Sequence, residues 1–218
     1  VHPPAYPVPM EERRMAEALI VIDLQNDFCP GGALAIAGGD EIVPLVNEMI
    51  ARFEHVVLAQ DWHPQGHSSF ASQHSGKNPF ETVTMPYGEQ TWWPDHCVQG
   101  SAGAAFDPAL DTARAELVLR KGFRPGIDSY SAFHENDRTT PTGLAGYLRE
   151  RGFTRVFLCG LATDYCVAYS ALDARRLGFE AVVLLDACRA IGLGGSLEQA
   201  LGAMRAAQVA LAQAGRLR

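Results

Sequence analysis

No stretch of this 218-residue chain approaches the roughly 18 consecutive apolar residues that a membrane-spanning helix needs. No CxxC pair occurs among its five cysteines (Cys29, Cys97, Cys159, Cys166 and Cys188), and an odd count without that spacing argues against a disulfide framework. Positive charge is in deficit. Eighteen Lys and Arg face 25 Asp and Glu, a formal net charge of −7, so the basic patches that nucleic acids or anionic membranes require are not expected. The opening VHPPAYPVPMEERRM has no apolar centre of the kind a secretory signal carries, and a reduced, cytoplasmic protein is the expectation. Internal repeats and a second domain are not evident either.

What is present starts with 47% hydrophobic residues, enough to bury a full core in one domain. Residues 1–16, with four prolines in the first nine positions, read as an extended or disordered tail, and 17–218 as the domain. Five apolar, β-branched runs follow: ALIVIDL (18–24), HVVLAQDWH (55–63), ELVLRKG (116–122), RVFLCGL (155–161) and EAVVLLDAC (180–188). They read as strands buried on both faces. Helical patterns fall between and after them at 40–53, 108–115, 142–151, 165–177 and 196–207, the second with Asp107 as cap and Pro108 at its first position. Gly152 and Gly178 stand where two of these helices should end. The alternation predicts an α/β fold: a doubly wound, mainly parallel sheet with helices on both faces, a Rossmann-like three-layer sandwich. The segment 64–106 is long, irregular and aromatic, which marks it as functional.

Ligands of open α/β sheets bind beyond the carboxyl ends of the strands. Those exits carry Asp23, then Asp61-Trp62-His63, then Lys121, then the turn leading to Cys166. Taken singly, each has an ordinary explanation. A free cysteine is commonly core, an aspartate after a strand commonly caps a turn, and a lysine at a strand end is commonly solvated. Together they supply what an activated thiol needs: an acid to take its proton, a cation, and a helix start to favour the thiolate. Asp61 and His63, two apart, face the same way, and His96 of WWPDHC offers a third donor. One carboxylate and two imidazoles suit one divalent metal ion, with zinc first and iron or manganese as alternatives. His67 and His74 read as surroundings rather than ligands.

Five blocks, ALIVIDLQNDFCPGGALAIAGG, DWHPQGHSSFASQH, WPDHCVQGS, KGFRPGIDSYSAF and GLATDYCVAYSALDA, occur in an order that resembles the nicotinamidases of the isochorismatase-like hydrolase superfamily. The resemblance runs from about Ala18 to the C-terminus. It implies a catalytic triad of Asp23, Lys121 and Cys166, and metal ligands Asp61, His63 and His96. It further implies an oxyanion hole from the amides of Ala162 and Cys166 beside a cis peptide at Leu161–Ala162, and ring-flanking aromatics Phe28, Trp93 and Tyr130. The implied reaction is hydrolysis of nicotinamide to nicotinate and ammonia through a thioester, serving NAD salvage, with pyrazinamide as a second substrate. A small molecule is then the partner, with no nucleic acid or membrane, and a homo-oligomer is compatible with the sequence. Rival readings are an amidase of the same superfamily acting on another small amide, a hydrolase whose metal activates water with Cys166 incidental, and a non-catalytic metal- or ligand-binding protein.

Overall fold

The computed structural model describes residues 16–217, so the expected N-terminal tail lies, except for Ala16, outside the described residues. Six strands form one parallel sheet: β1 (Glu17–Ile22), β2 (Val56–Asp61), β5 (Leu117–Lys121), β6 (Arg155–Leu161), β7 (Glu180–Arg189) and β8 (Ala210–Ala212), in spatial order β5-β2-β1-β6-β7-β8. β3 (Thr82–Met85) and β4 (Gly88–Thr91) pair as a separate antiparallel hairpin. The helices are α1 (Val43–Arg52), α2 (Leu144–Glu150), α3 (Ala168–Arg176) and α4 (Ser196–Ala206). α1 packs on β1 and β7, and α3 packs on β7 and α4. From β1 the chain winds outward to β2 and β5, then returns to β6 and winds the other way. Right-handed crossovers therefore place α1 on one face and α3 and α4 on the other. Among the described residues no helix is long and apolar enough to cross a membrane.

β1, β2 and β6 are buried almost end to end, as strands covered on both faces must be. β5 is different. It pairs only with β2, and its side chains alternate between exposed and half-buried until Lys121. The expected helix at 108–115 is absent: these residues form turns. Their amides are taken by side chains, Ala109 by Asp107, Ala113 by Asp111, and Asp111 by Asn47, so the local polar groups offer the backbone an alternative to the helix ladder. Asp107 thus caps a turn, not a helix. β8 and the hairpin had no signal in the sequence. β8 has three residues, too few to show a period, and the hairpin turns at Pro86-Tyr87 without an Asn-Gly or Asp-Gly pair. Gly152 and Gly178 do end α2 and α3 in the left-handed region.

The order β5-β2-β1-β6 fixes where the site lies. β1 and β6 flank the point where winding reverses, and four strand exits meet at that rim.

Candidate active site

Asp23 follows β1, Asp61 ends β2, Lys121 ends β5, and Cys166 sits five residues beyond the end of β6. Lys121 is the hub. Its Nζ lies 2.8 Å from Asp23 Oδ2 and 2.9 Å from Asp61 Oδ1, donates to the Ser129 carbonyl at 2.9 Å, and stands 3.5 Å from Cys166 Sγ. Lys121 and Asp23 are wholly shielded from solvent. Burial works against the ammonium, yet Asp23 and Asp61 hold the Lys121 pKa well above the ordinary lysine range. The contact with Asp61 was not foreseen, and it joins the proposed triad to the metal residues.

Asp23 has a left-handed backbone, φ 49°, a conformation aspartate tolerates better than most residues. The donors that reach its carboxylate are the Lys121 ammonium, 2.8 Å from Oδ2, and the Cys166 thiol. Burial raises its pKa, Lys121 opposes and Asp61 reinforces, and the outcome is about 6. A buried carboxylate set between an ammonium and a thiol, with its pKa brought toward neutrality, is suited to exchange a proton.

Cys166 corrects one expectation. Its thiol pKa is pushed up, well above the usual value, by burial first, with Lys121 opposing and the carboxylates of Asp23 and Asp61 adding to the rise. The reason is local. Residues Thr163–Val167 form a π-type turn, and the α-helix proper starts only at Ala168, so Cys166 is enclosed among carboxylates rather than presented at bare helical amides. Burial thus favours the thiol over the thiolate at Cys166. The turn is rigidly held: Ser170 Oγ donates to the Cys166 carbonyl at 2.6 Å and accepts the Ala132 amide at 2.8 Å. Leu161–Ala162 is a cis peptide bond.

The metal residues converge beside this cluster. His63 Nε2 is 3.1 Å and His96 Nε2 3.3 Å from Asp61 Oδ2, and the three donor atoms lie within 4.8 Å of one another, all buried. His63 turns Nδ1 to the Gly122 carbonyl at 2.9 Å, and His96 turns Nδ1 to that of Pro94 at 2.8 Å. Carbonyls can only accept, so both Nδ1 atoms carry hydrogen and both Nε2 atoms face Asp61, where a proton or a metal ion can sit between nitrogen and carboxylate. Two imidazoles and a carboxylate, preset in this way, fit a divalent first-row metal. Burial disfavours a charged His63, but Asp61 and Asp128 outweigh it and raise its pKa to about 9, which shows how strongly this spot draws a cation. Gly122 leaves room for the ring: at φ 68°, a Cβ there would stand 2.5 Å from His63 Cε1. His67 lies near enough to group with His63 and Asp128, but its Nε2 faces the carbonyls of Arg124 and Ile127 and its Nδ1 accepts from Ser69, which leaves no donor for a metal. His74 stacks on Trp92 and bonds to the Ser68 carbonyl.

One pocket joins the two clusters. Cys166 and Ala162 line it, Asp61 and His96 line it, and Phe28, Trp93 and Tyr130 provide aromatic walls. Phe28 meets His96 edge-on at 5.5 Å, and Tyr130 Oη is fixed by Trp93 Nε1 and Gln90 Nε2. Leu34, Asp128, Tyr165 and Ile191 complete the lining and were not anticipated. Tyr165 packs edge-on against Trp93 and Tyr130. Asp128 accepts from Gln90 Nε2 and the Ser129 amide and stands 3.8 Å from His63 Nε2. Gln25 was also missed, though its buried amide exchanges two 2.8 Å bonds with the Asp61 backbone and so sets the exit of β2. A glutamine straight after a buried strand was the available signal.

The chain as a whole is similar to known proteins. The chain is 53% identical to a nicotinamidase of Acinetobacter baylyi, over 92% of this chain and 95% of the relative. The structure superposes on an Acinetobacter baumanii nicotinamidase and pyrazinamidase with a TM-score of 0.93 and 52% identity, covering 95% of this chain and all of the other. A pyrazinamidase of Pyrococcus horikoshii in complex with zinc matches with a TM-score of 0.74 and 38% identity, over 91% and 99% of the two chains. The model of the isochorismatase domain matches residues 17–214. With its doubly wound sheet and the reactive groups gathered at the switch point, the chain belongs to the isochorismatase family.

Proposed function

We propose that this protein is a metal-dependent cysteine amidohydrolase that converts nicotinamide to nicotinate and ammonia and also accepts pyrazinamide. One observation carries the reading: Cys166, Asp61 and His96 open into a single aromatic pocket, while Asp23 and Lys121 buttress the thiol from behind. The family relationship and the nicotinamidase names of its relatives support it.

The substrate ring rests between Phe28, Trp93 and Tyr130, which orient the carboxamide toward Cys166 and exclude water. Asp61, His63 and His96 would hold a divalent metal, zinc by analogy with the Pyrococcus horikoshii relative, and when bound it supplies a Lewis-acid anchor for the ring nitrogen. Asp23 takes the Cys166 proton as Sγ bonds to the carboxamide carbon, and the carbonyl π pair moves onto oxygen. The amides of Ala162 and Cys166 receive that oxyanion. Asp23 hands the proton to the nitrogen, the C–N bond breaks, and ammonia departs from a thioester. Asp23 then deprotonates a water, which adds to the thioester carbon. The C–S bond breaks, nicotinate leaves, and the thiolate recovers its proton. Lys121 stays protonated throughout and balances whichever neighbour is anionic. A role in NAD salvage in the cytoplasm accords with this chemistry and with five cysteines that all stay free.

The test is ammonia release from nicotinamide by purified protein, with and without a chelator. Turnover is expected to be lost on chelation and restored by added zinc, and Cys166→Ala should fall to background. Appreciable turnover in Cys166→Ala would make the metal, not the thiol, the source of the nucleophile.

A further inference from the structure

We infer that Asp27 is the positioning residue of the metal centre: its carboxylate is not a ligand, but holds the loop that carries His96 and is hydrogen-bonded to the backbone of His63. The inference rests on the proposed metal set of Asp61, His63 and His96.

Asp27 Oδ2 accepts the Cys97 amide at 2.7 Å, a short, charge-assisted bond to the residue directly after His96. Cys97 has φ 47°, in the left-handed region, so its peptide does not settle there without an external hold. The Cys97 carbonyl in turn accepts the His63 amide at 3.0 Å, and the His63 carbonyl accepts the Gln99 amide at 2.8 Å. One residue, Cys97, therefore connects the backbones of both histidines, and Asp27 grips it by the N–H of the His96–Cys97 peptide. The other end of the grip is equally fixed. Asp27 Oδ1 accepts Ala33 N–H at 3.2 Å, its own amide donates to Gly103 O at 3.0 Å, and its carbonyl accepts Leu34 N–H at 2.9 Å. The next residue, Phe28, puts its ring against His96. Metal loop and ring pocket thus share one carboxylate as their joint.

Gly103 supplies the space. A Cβ there would lie 2.1–2.3 Å from the Asp27 carboxyl atoms, an impossible contact, so any side chain at 103 must expel Asp27 from its place. Two positions remote from the metal donors in sequence thereby act on one contact. Residues that orient metal ligands typically change metal affinity by about 10–100-fold when replaced.

The experiment uses metal-stripped full-length protein titrated with Co²⁺ and followed by visible absorption, on wild type, Asp27→Asn, Gly103→Ala and His96→Ala. Melting temperature and the alkylation rate of Cys166 on the same samples report the fold and the thiol. Asp27→Asn keeps the size and one acceptor oxygen, so it is the variant expected to stay folded. Cobalt affinity in Asp27→Asn should drop by about tenfold or more, with an altered absorption band and a raised KM, while its thiol in the metal-stripped state alkylates at the rate of metal-stripped wild type. Gly103→Ala should reproduce that pattern if folded. Wild-type cobalt affinity and spectrum in Asp27→Asn, with His96→Ala impaired, overturns the role of Asp27 alone. Wild-type affinity in both overturns the metal set and this inference with it.

Discussion

Lys121 brings one positive charge into a space where two carboxylates, a carbonyl and a sulfur converge, and its removal leaves the carboxylates facing each other without a cation. Lys121→Met, which keeps volume but not charge, should cut turnover by about 10²–10⁴-fold, the range for a disabled acid–base pair. Stability should fall by roughly 3–5 kcal/mol near neutral pH, because a buried pair has lost one partner. The pH dependence gives the sign. Without Lys121 the main opposition to the burial of Asp23 is gone and only the Cys166 hydrogen bond still lowers its pKa, so the folded pKa rises further above the value of about 6 it has now. The folded state then holds that proton more tightly than the unfolded chain, which stabilises the variant at low pH and is lost as pH rises through the folded pKa. Melting curves across pH 4–8 should therefore show the deficit growing with pH; a pH-independent deficit counts against the pairing. In the native enzyme Asp23 must be ionised to accept the thiol proton, so kcat/KM should fall tenfold per unit on an acid limb no higher than about pH 6. The residue types of this site were legible in the sequence because carboxylate, ammonium, imidazole and thiol each stood at a strand exit. The bond from Lys121 to Asp61 was not, since it depends on β5 and β2 pairing in the register that sets Lys121 opposite Asp61. Neither was the elevated thiol pKa, which comes from burial and neighbouring carboxylates that no spacing reveals.

Among the elements, the turn between β6 and α3 does the most to shape the pocket. It projects Asp164 away from the thiol toward the glycine-rich link between β7 and α4, where Oδ1 accepts the Ile191 amide at 3.0 Å and Oδ2 accepts the Gly192 amide at 2.8 Å and the Ser196 hydroxyl. Ile191 is a wall of the pocket, so the segment that carries the nucleophile also fixes the wall opposite. Asp164→Ala should free three donors, cost about 2–3 kcal/mol and raise KM more than it lowers kcat, since Ile191 shifts while Asp23, Lys121 and Cys166 keep their contacts. Unchanged melting temperature and KM would refute that linkage. The sequence pattern fails at this scale where local polar chemistry overrides periodicity. Residues 108–115 carry a helical pattern, yet Asp107 and Asp111 take the amides a helix would use. In the hairpin Thr82–Thr91 the alternation is confined to the four residues TVTM, too short to announce a strand, and β4 is polar even where Gln90 and Thr91 are buried. The five longer strands were legible because a sheet covered on both faces needs continuous apolar runs. Edge strand β5 came through on its short apolar run Leu117–Leu119, though Val118 and Arg120 face water.

At the scale of the molecule, the strand order decides how independent the two chemistries are. Residues on separate strand exits suggest that metal and thiol can fail separately. The order β5-β2-β1-β6 instead places Lys121 against Asp61 on one side and against Asp23 and Cys166 on the other, so the two sets share a cation. Asp61 with its full charge pushes the Cys166 pKa upward, behind burial, which dominates. With a divalent ion held by Asp61, His63 and His96, the charge of Asp61 would be offset and Lys121 would be freer to favour the thiolate. Chelation, or His96→Ala, should therefore do two things at once: lower metal content and nicotinamide affinity, and slow the alkylation of Cys166 by iodoacetamide without stopping it. Residual reactivity is expected because Lys121 keeps its contacts with Asp23 and the Ser129 carbonyl and so remains beside the sulfur. Metal content by emission spectroscopy, nicotinamide affinity and Cys166 labelling by mass spectrometry, read on one preparation, separate the outcomes. An unchanged labelling rate after complete metal loss would mean that Lys121 does not transmit charge between the sites. Complete loss of labelling in folded protein would mean that the metal, rather than the Asp23–Lys121 pair, sets the reactivity of the thiol.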